Sequence, residues 1–123
     1  MPSRAQLTGH RAEELATEFL RAAGCQILVR NYRRRLGELD IVARSGRVLV
    51  VAEVRTRASS AYGGAAASVT RTKQRRIVRA ASALLQQQPG LAALPLRFDV
   101  IVVTNPEGPQ PGIEWIKHAF DAG

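Results

Sequence analysis

A chain of 123 residues is long enough for one substantial core and too short for two, so residues 1–123 are expected to form a single domain. A hydrophobic fraction of 46% argues for a globular fold over disorder, and no apolar run reaches the roughly 20 residues a membrane span needs. The net charge of +8, from 18 Lys and Arg against 10 Asp and Glu, draws polyanions, chiefly nucleic acid, through phosphate contacts.

The first residues, MPSRAQLTGH, lack the apolar core of a signal peptide, so a cytoplasmic location is expected. The single Cys25 cannot close an internal disulfide and reads as a buried, reduced thiol. From Leu7 to Gly24 the apolar residues Ala12, Leu15, Ala16, Phe19, Leu20 and Ala23 recur at helical spacing, with Thr8 as cap and Gly24 as stop. The stripe centres on Ala12, Ala16 and Ala23. Glu13 then falls on its flank, where it can reach a site between helix and sheet, whereas Glu14 and Glu18 point outward.

Cys25 to Arg35 reads as a strand running into a basic cluster of Arg30, Arg33, Arg34 and Arg35 around Asn31 and Tyr32. Gly37 to Arg57 follows as two apolar runs joined by Ser45-Gly46, which predicts an antiparallel hairpin. With that turn, Arg44 faces Arg47, Val42 faces Leu49, Asp40 faces Val51 and Glu38 faces Glu53. One face then carries Glu38, Asp40, Glu53 and Arg55, and the other carries Leu39, Ile41, Ala43, Val48, Val50, Ala52 and Val54. Like charges opposed across strands need a cation or a proton between them. Carboxylates converging in this way suit a Mg²⁺ ion, which binds through one or two protein carboxylates and keeps waters. The same acids also read as a solvated edge patch neutralised by Arg55 and Arg57.

ASSAYGGAAAS, after Arg57, reads as a mobile loop whose Gly63-Gly64 pair would let backbone approach a ligand, a plain connection being the alternative. A second helix is predicted from its cap Thr70 to about Gln88, where Pro89-Gly90 ends it. Ile77, Ala81, Leu84 and Gln88 mark its inner face. Gln74 falls inside that face and Lys73 at its border, while Arg75, Arg76 and Arg79 point away. Gln74 is thus either an exposed helix end or a partner of the hairpin acids. Arg97 to Thr104 predicts an apolar strand whose Asp99 reads as an arginine's partner. Asn105 to Gly112 predicts a turn, and Ile113 to His118 a weaker strand with a bland His118. The long helix between the third and fourth strands allows those two to run parallel in a mixed five-stranded sheet.

GELD, with Glu53 of EVRTR 13 residues beyond Asp40, and a helix carrying Lys73 and Gln74, resembles the PD-(D/E)xK nuclease core. GHRAEELATEFL, NYR at Asn31, TKQRR, RFDV and the closing AF extend the likeness over nearly the whole chain. In that order they resemble the YraN-type family of uncharacterised bacterial predicted endonucleases and, more distantly, archaeal Holliday junction resolvases. The resemblance implies a restriction-endonuclease-like α/β core with a mixed five-stranded sheet flanked by helices. It implies Asp40 and Glu53 as metal-binding acids, the Val54 carbonyl as a further ligand, and Glu13 as the acid of the N-terminal helix. Arg55 stands where such nucleases carry lysine. Glu38 and Gln74 match recurring positions.

Arginine stays protonated and cannot act as a base near neutral pH, but it can hold a phosphate through two parallel hydrogen bonds. The expected activity is therefore a Mg²⁺- or Mn²⁺-dependent endonuclease acting on DNA, structure-specific for branched substrates in repair or recombination. In it Asp40, Glu53, Arg55, Glu13 and Gln74 are the catalytic candidates, and Arg33, Arg34, Arg35, Arg71 and Lys73 hold the phosphate backbone. A homodimer would fit the analogy, and no membrane partner is expected. The competing expectations are a non-catalytic nucleic-acid-binding module with the same fold and an RNA- or ribosome-associated factor.

Overall fold

A computed structural model describes residues 1–58 and 67–123. The expected glycine loop with Gly63-Gly64 lies largely outside the described residues. The order is α1 (Arg4–Ala22), β1 (Gln26–Arg34), β2 (Gly37–Ser45), β3 (Val48–Arg57), α2 (Arg71–Gln87), α3 (Pro89–Ala92), β4 (Leu96–Thr104) and β5 (Gly112–Phe120). The five strands form one sheet in the order β1-β2-β3-β4-β5. β3 and β4 run parallel and every other pair is antiparallel, so α2 serves as the crossover, as its length predicts. No helix among the described residues is long and apolar enough to cross a membrane.

α1 begins five residues before the position that a Thr8 cap would give. Ser3 is the cap: its hydroxyl accepts from the Gln6 N–H while Gln6 Oε1 accepts from the Ser3 N–H, a reciprocal box that starts the helix earlier. The helix ends at Gly24 as predicted. Gly24 takes φ 91°, its N–H donates to Arg21 O, and the Cys25 N–H donates to Leu20 O, a Schellman closure. Ala12, Ala16, Thr17 and Leu20 form its buried face, while Ala23 is exposed. Small residues there let the helix lie close to the sheet. The Thr17 hydroxyl spends itself locally, donating to Glu13 O at 2.7 Å.

Helices cover both faces of the sheet. Against α1 lie Ile41, Ala43, Val50, Ala52, Ile101 and Val103; against α2 lie Val42, Leu49, Val51, Phe98 and Tyr32. Leu39 departs from the predicted alternation and joins the α2 layer, two residues from Ile41 on the opposite side. The reason sits beside it. The β1–β2 ladder pairs Tyr32 with Leu39 and Arg30 with Ile41 but skips Asn31 and Asp40, and Asn31 adopts φ 53°. A left-handed residue within a strand breaks the regular pleat, so neighbours on either side need not keep the period of two.

The hairpin register is shifted by two residues from the predicted one. Ser45 pairs with Val48, Val42 with Val51 and Ile41 with Ala52, leaving Gly46-Arg47 as the loop. Gly46 supplies the positive φ of 60° that a tight hairpin turn demands, which pulls the turn one residue along from Ser45-Gly46. Because the shift is even, the faces of Val42, Leu49, Val51 and Val50 are as predicted. Asp99 is fully buried on β4, where it accepts from Arg97 Nε (2.8 Å) and Nη2 (2.9 Å), Trp115 Nε1 (2.8 Å) and the His118 N–H (2.9 Å). It is an arginine's partner, as its sequence position suggested, and fastens β5 to β4.

β2 and α2 meet without a side chain between them at Gly37. A Cβ built there would overlap the carbonyl of Arg76. Substituting Gly37→Ala should push α2 outward and lower stability by about 1–3 kcal/mol, the usual cost of overpacking. A urea midpoint equal to that of the unsubstituted chain would contradict this packing.

Candidate functional site

The last β2–β3 pair is Ile41 with Ala52; one step further along that register, Asp40 stands across from Glu53. There the ladder gives way to side-chain bonding. The Val54 N–H donates to Asp40 Oδ2 at 2.8 Å, and Asp40 and Glu53 share a hydrogen bond between their carboxyl groups. Glu53 is thus reached by Asp40 and not by Glu38, which pairs across β1 with Arg33 at 3.1 Å instead. Both strands enter from a fully apolar interior, so these acids sit at the mouth of the core.

A pocket of about 310 Å³ opens at this point. β2 and β3 contribute Asp40, Glu53, Val54 and Arg55, α1 contributes Gly9 and Glu13, and α2 contributes Lys73. The geometry thereby brings Asp40, Glu53, Val54, Arg55 and Glu13 together, from three parts of the sequence. Lys73 was expected on the phosphate backbone. Its ammonium lies 3.6 Å from Glu53 Oε2 and 3.9 Å from Glu38 Oε1.

Gln74 is not brought there. Its amide donates to Val69 O at 2.8 Å, and it lines a separate cleft with Arg71. Arg34 stacks on Tyr32 and donates to Gln87 Oε1, and Arg35 is exposed at the β1–β2 turn. Of the five expected phosphate-binding residues, Lys73 touches the acids and Arg33 sits beside Glu38. The signal for Lys73 was present in the sequence. It stands four residues before Ile77, on the same helical face, so it overhangs the sheet where the apolar stripe begins.

Electrostatics follow from burial. Glu53 is 5% exposed, and its carboxyl is pushed up to about 8 by desolvation first, then by the Asp40 charge and the shared hydrogen bond; Lys73 and Arg55 oppose the shift. Glu13 is also raised, by burial and then by Asp40, with Arg30 pulling the other way. Its Oε1 is buried and has no hydrogen-bond partner. An orphaned buried oxygen beside the Asp40 and Glu53 carboxyls leaves an acceptor that a cation or a donor can fill.

The donors are all oxygen, which is what Mg²⁺ and Mn²⁺ take. Among the described residues no three His, Cys, Asp or Glu side chains are grouped so as to hold a metal ion. Mg²⁺ does not require one, since it binds through one or two carboxylates and retains water. The residues present fit such an ion at the Asp40–Glu53 pair, with Glu13 alongside.

A mixed five-stranded sheet flanked by helices, with acids gathered at the splayed end of its central hairpin, is an α/β core of the nuclease-like kind. The model of the Uncharacterised protein family UPF0102 matches residues 12–103. The chain belongs to this family, which is the YraN-type family its motifs resemble. A UPF0102 protein from Saccharophagus degradans is 48% identical over 113 residues, covering 92% of this chain and 92% of its own. One from Xanthomonas oryzae pv. oryzae is 44% identical over 122 residues, covering 99% and 98%. One from Legionella pneumophila is 40% identical over 118 residues, covering 96% and 98%.

The raised Glu53 has a consequence for stability. The folded chain holds a proton between the ordinary carboxyl value of 4.5 and about 8, where the unfolded chain has lost it. Stability of the metal-free protein therefore falls as pH rises through that window, and levels off above it. Urea unfolding at pH 5, 7 and 9 should show the fall, and Glu53→Gln should flatten it. Equal pH slopes in the two proteins would contradict the assignment.

Proposed function

We propose that this protein is a Mg²⁺- or Mn²⁺-dependent endonuclease that hydrolyses DNA phosphodiesters. The observation that carries the reading is the hydrogen-bonded Asp40–Glu53 pair, desolvated and facing a pocket that also holds the unpartnered Glu13 oxygen. Asp40, Glu53 and the Val54 carbonyl would hold the ion, with Glu13 binding a second ion or orienting water. A divalent ion bound there supplies Lewis-acid charge and a water of lowered pKa. The chain's own cations do the rest.

Arg55, on the same strand as Glu53, presents a guanidinium that can hold two phosphate oxygens and stabilise the charge that develops on them. Lys73 adds an ammonium from the opposite wall, so replacing the usual strand lysine by arginine does not leave the pocket without an amine. The net charge of +8 supports a polyanionic substrate. The non-catalytic alternative is favoured by one feature, the arginine at position 55; the nearby Lys73 weighs against it.

Incubating supercoiled plasmid with the full chain and Mn²⁺ tests the reading. Nicking is expected, with a loss of about 100-fold or more in Asp40→Asn and Glu53→Gln. Lys73→Met should lower the rate while leaving a shifted but measurable affinity for DNA. No nicking by the unsubstituted chain, together with nicking gained by Arg55→Lys, would favour the binding-module reading. Equal nicking by the unsubstituted and Asp40→Asn proteins would refute the site.

A further inference from the structure

Beside the acid pocket runs a second groove of about 750 Å³, and the two share a wall made by Gly9 and Glu13. Its chemistry differs. Leu7 and Pro2 supply apolar surface, Gln6, His10 and Asn31 supply hydrogen-bonding groups, and Arg33 is the one fixed cation among its lining residues. That guanidinium is already engaged by Glu38 at 3.1 Å. A track for phosphates would need several cations in line, and this groove has an amide-rich, partly apolar lining instead. Such a lining suits a nucleobase, whose edge is read by Asn and Gln amides and whose face lies on apolar surface.

Two further features favour that occupant. Asn31 holds φ 53° and, with Asp40 opposite, drops out of the β1–β2 ladder. A non-glycine residue in this region is held there at a cost, and the same interruption places Asp40 in one cavity and Asn31 in the next. Gly9 stands at the junction. It lines both cavities, and a Cβ built on it would meet nothing within 4 Å, so a side chain there would stand in open space at their shared wall.

We infer that this groove receives one unpaired base of the DNA strand whose neighbouring phosphate lies in the acid pocket. The inference rests on the proposed nuclease reading for the position of that phosphate. It makes the substrate a strand with at least one unpaired nucleotide beside the cut, as in single strands, forks and branch points. A fully paired duplex keeps its bases stacked and presents none to the groove without the cost of unstacking, a few kcal/mol.

The test uses binding, so it does not depend on turnover. A single-stranded oligothymidylate and an abasic phosphodiester strand of the same length carry equal charge and differ only in bases. Their affinities for the full chain are compared by fluorescence anisotropy in EDTA at one fixed salt concentration. The base-bearing strand should bind about 10-fold more tightly, the scale of one well-stacked and hydrogen-bonded base. Asn31→Gly keeps the left-handed backbone while removing the amide, and Gly9→Leu adds bulk at the shared wall, where a Cβ meets no protein atom within 4 Å; each should shrink that difference to less than 3-fold.

Equal affinity for the two strands, or a difference that survives both substitutions, would overturn the inference. Plasmid nicking measured in parallel separates it from the reading on which it rests. Nicking with no preference for bases removes the groove and leaves the nuclease. Base preference that depends on Asn31 and Gly9, without nicking, keeps the groove as a binding site and removes the adjoining scissile phosphate.

Discussion

Two carboxyl groups held in contact at the edge of an apolar core make an unfavourable arrangement, and the site is built around it. Burial alone disfavours the charge on Glu53, and the Asp40 charge adds to that cost. The strand pair supports the contact because Asp40 takes over a backbone role: its carboxylate accepts the Val54 N–H where the β2–β3 ladder ends. A side chain so placed is fixed in direction by the sheet itself. Positive charge then has to come from elsewhere, and α2 supplies some of it through Lys73.

That supply depends on packing several residues away. Gly37 lets the backbone of α2 lie directly on the start of β2, and Arg76, whose carbonyl it meets, is three residues from Lys73. On the opposite side, the buried Ala12 and Ala16 let α1 pack on the sheet, which carries Glu13 to the same opening. Small residues on both helices thus set how tightly three layers converge on one pocket. The fully buried Asp99, bound by Arg97, Trp115 and the His118 backbone, anchors the far edge of the sheet and takes no part in the site.

Much of this was legible in the sequence because local chemistry and global packing agree. Apolar periodicity gave the two long helices and all five strands, though not the short α3, and the length of α2 gave the parallel β3–β4 crossover. The hairpin faces survived a wrong turn assignment, since a slip of two residues preserves alternation. What periodicity could not supply was the break in it. Leu39 crosses to the α2 layer because Asn31, across from the neighbouring Asp40, is left-handed, and no count of alternating residues anticipates one backbone angle. Lys73 and Gln74 changed places for a related reason: angular position told which side of the helix each leaves, while the length of the lysine and the nearby Val69 carbonyl decided where each ends. The Ser3–Gln6 box, passed over for Thr8, was readable as a polar residue followed three later by glutamine.

The central claim is that Asp40 and Glu53 together form a seat for one divalent cation, which would displace the proton that burial favours on Glu53. Calorimetric titration of the full chain with Mn²⁺ at pH 7, repeated in two buffers of different ionisation enthalpy, measures both the ion bound and the protons released. The account predicts a saturable site at Asp40 and Glu53 whose filling expels close to one proton, with the proton release lost in Glu53→Gln. Binding without proton release, or binding unchanged in both Asp40→Asn and Glu53→Gln, would contradict it.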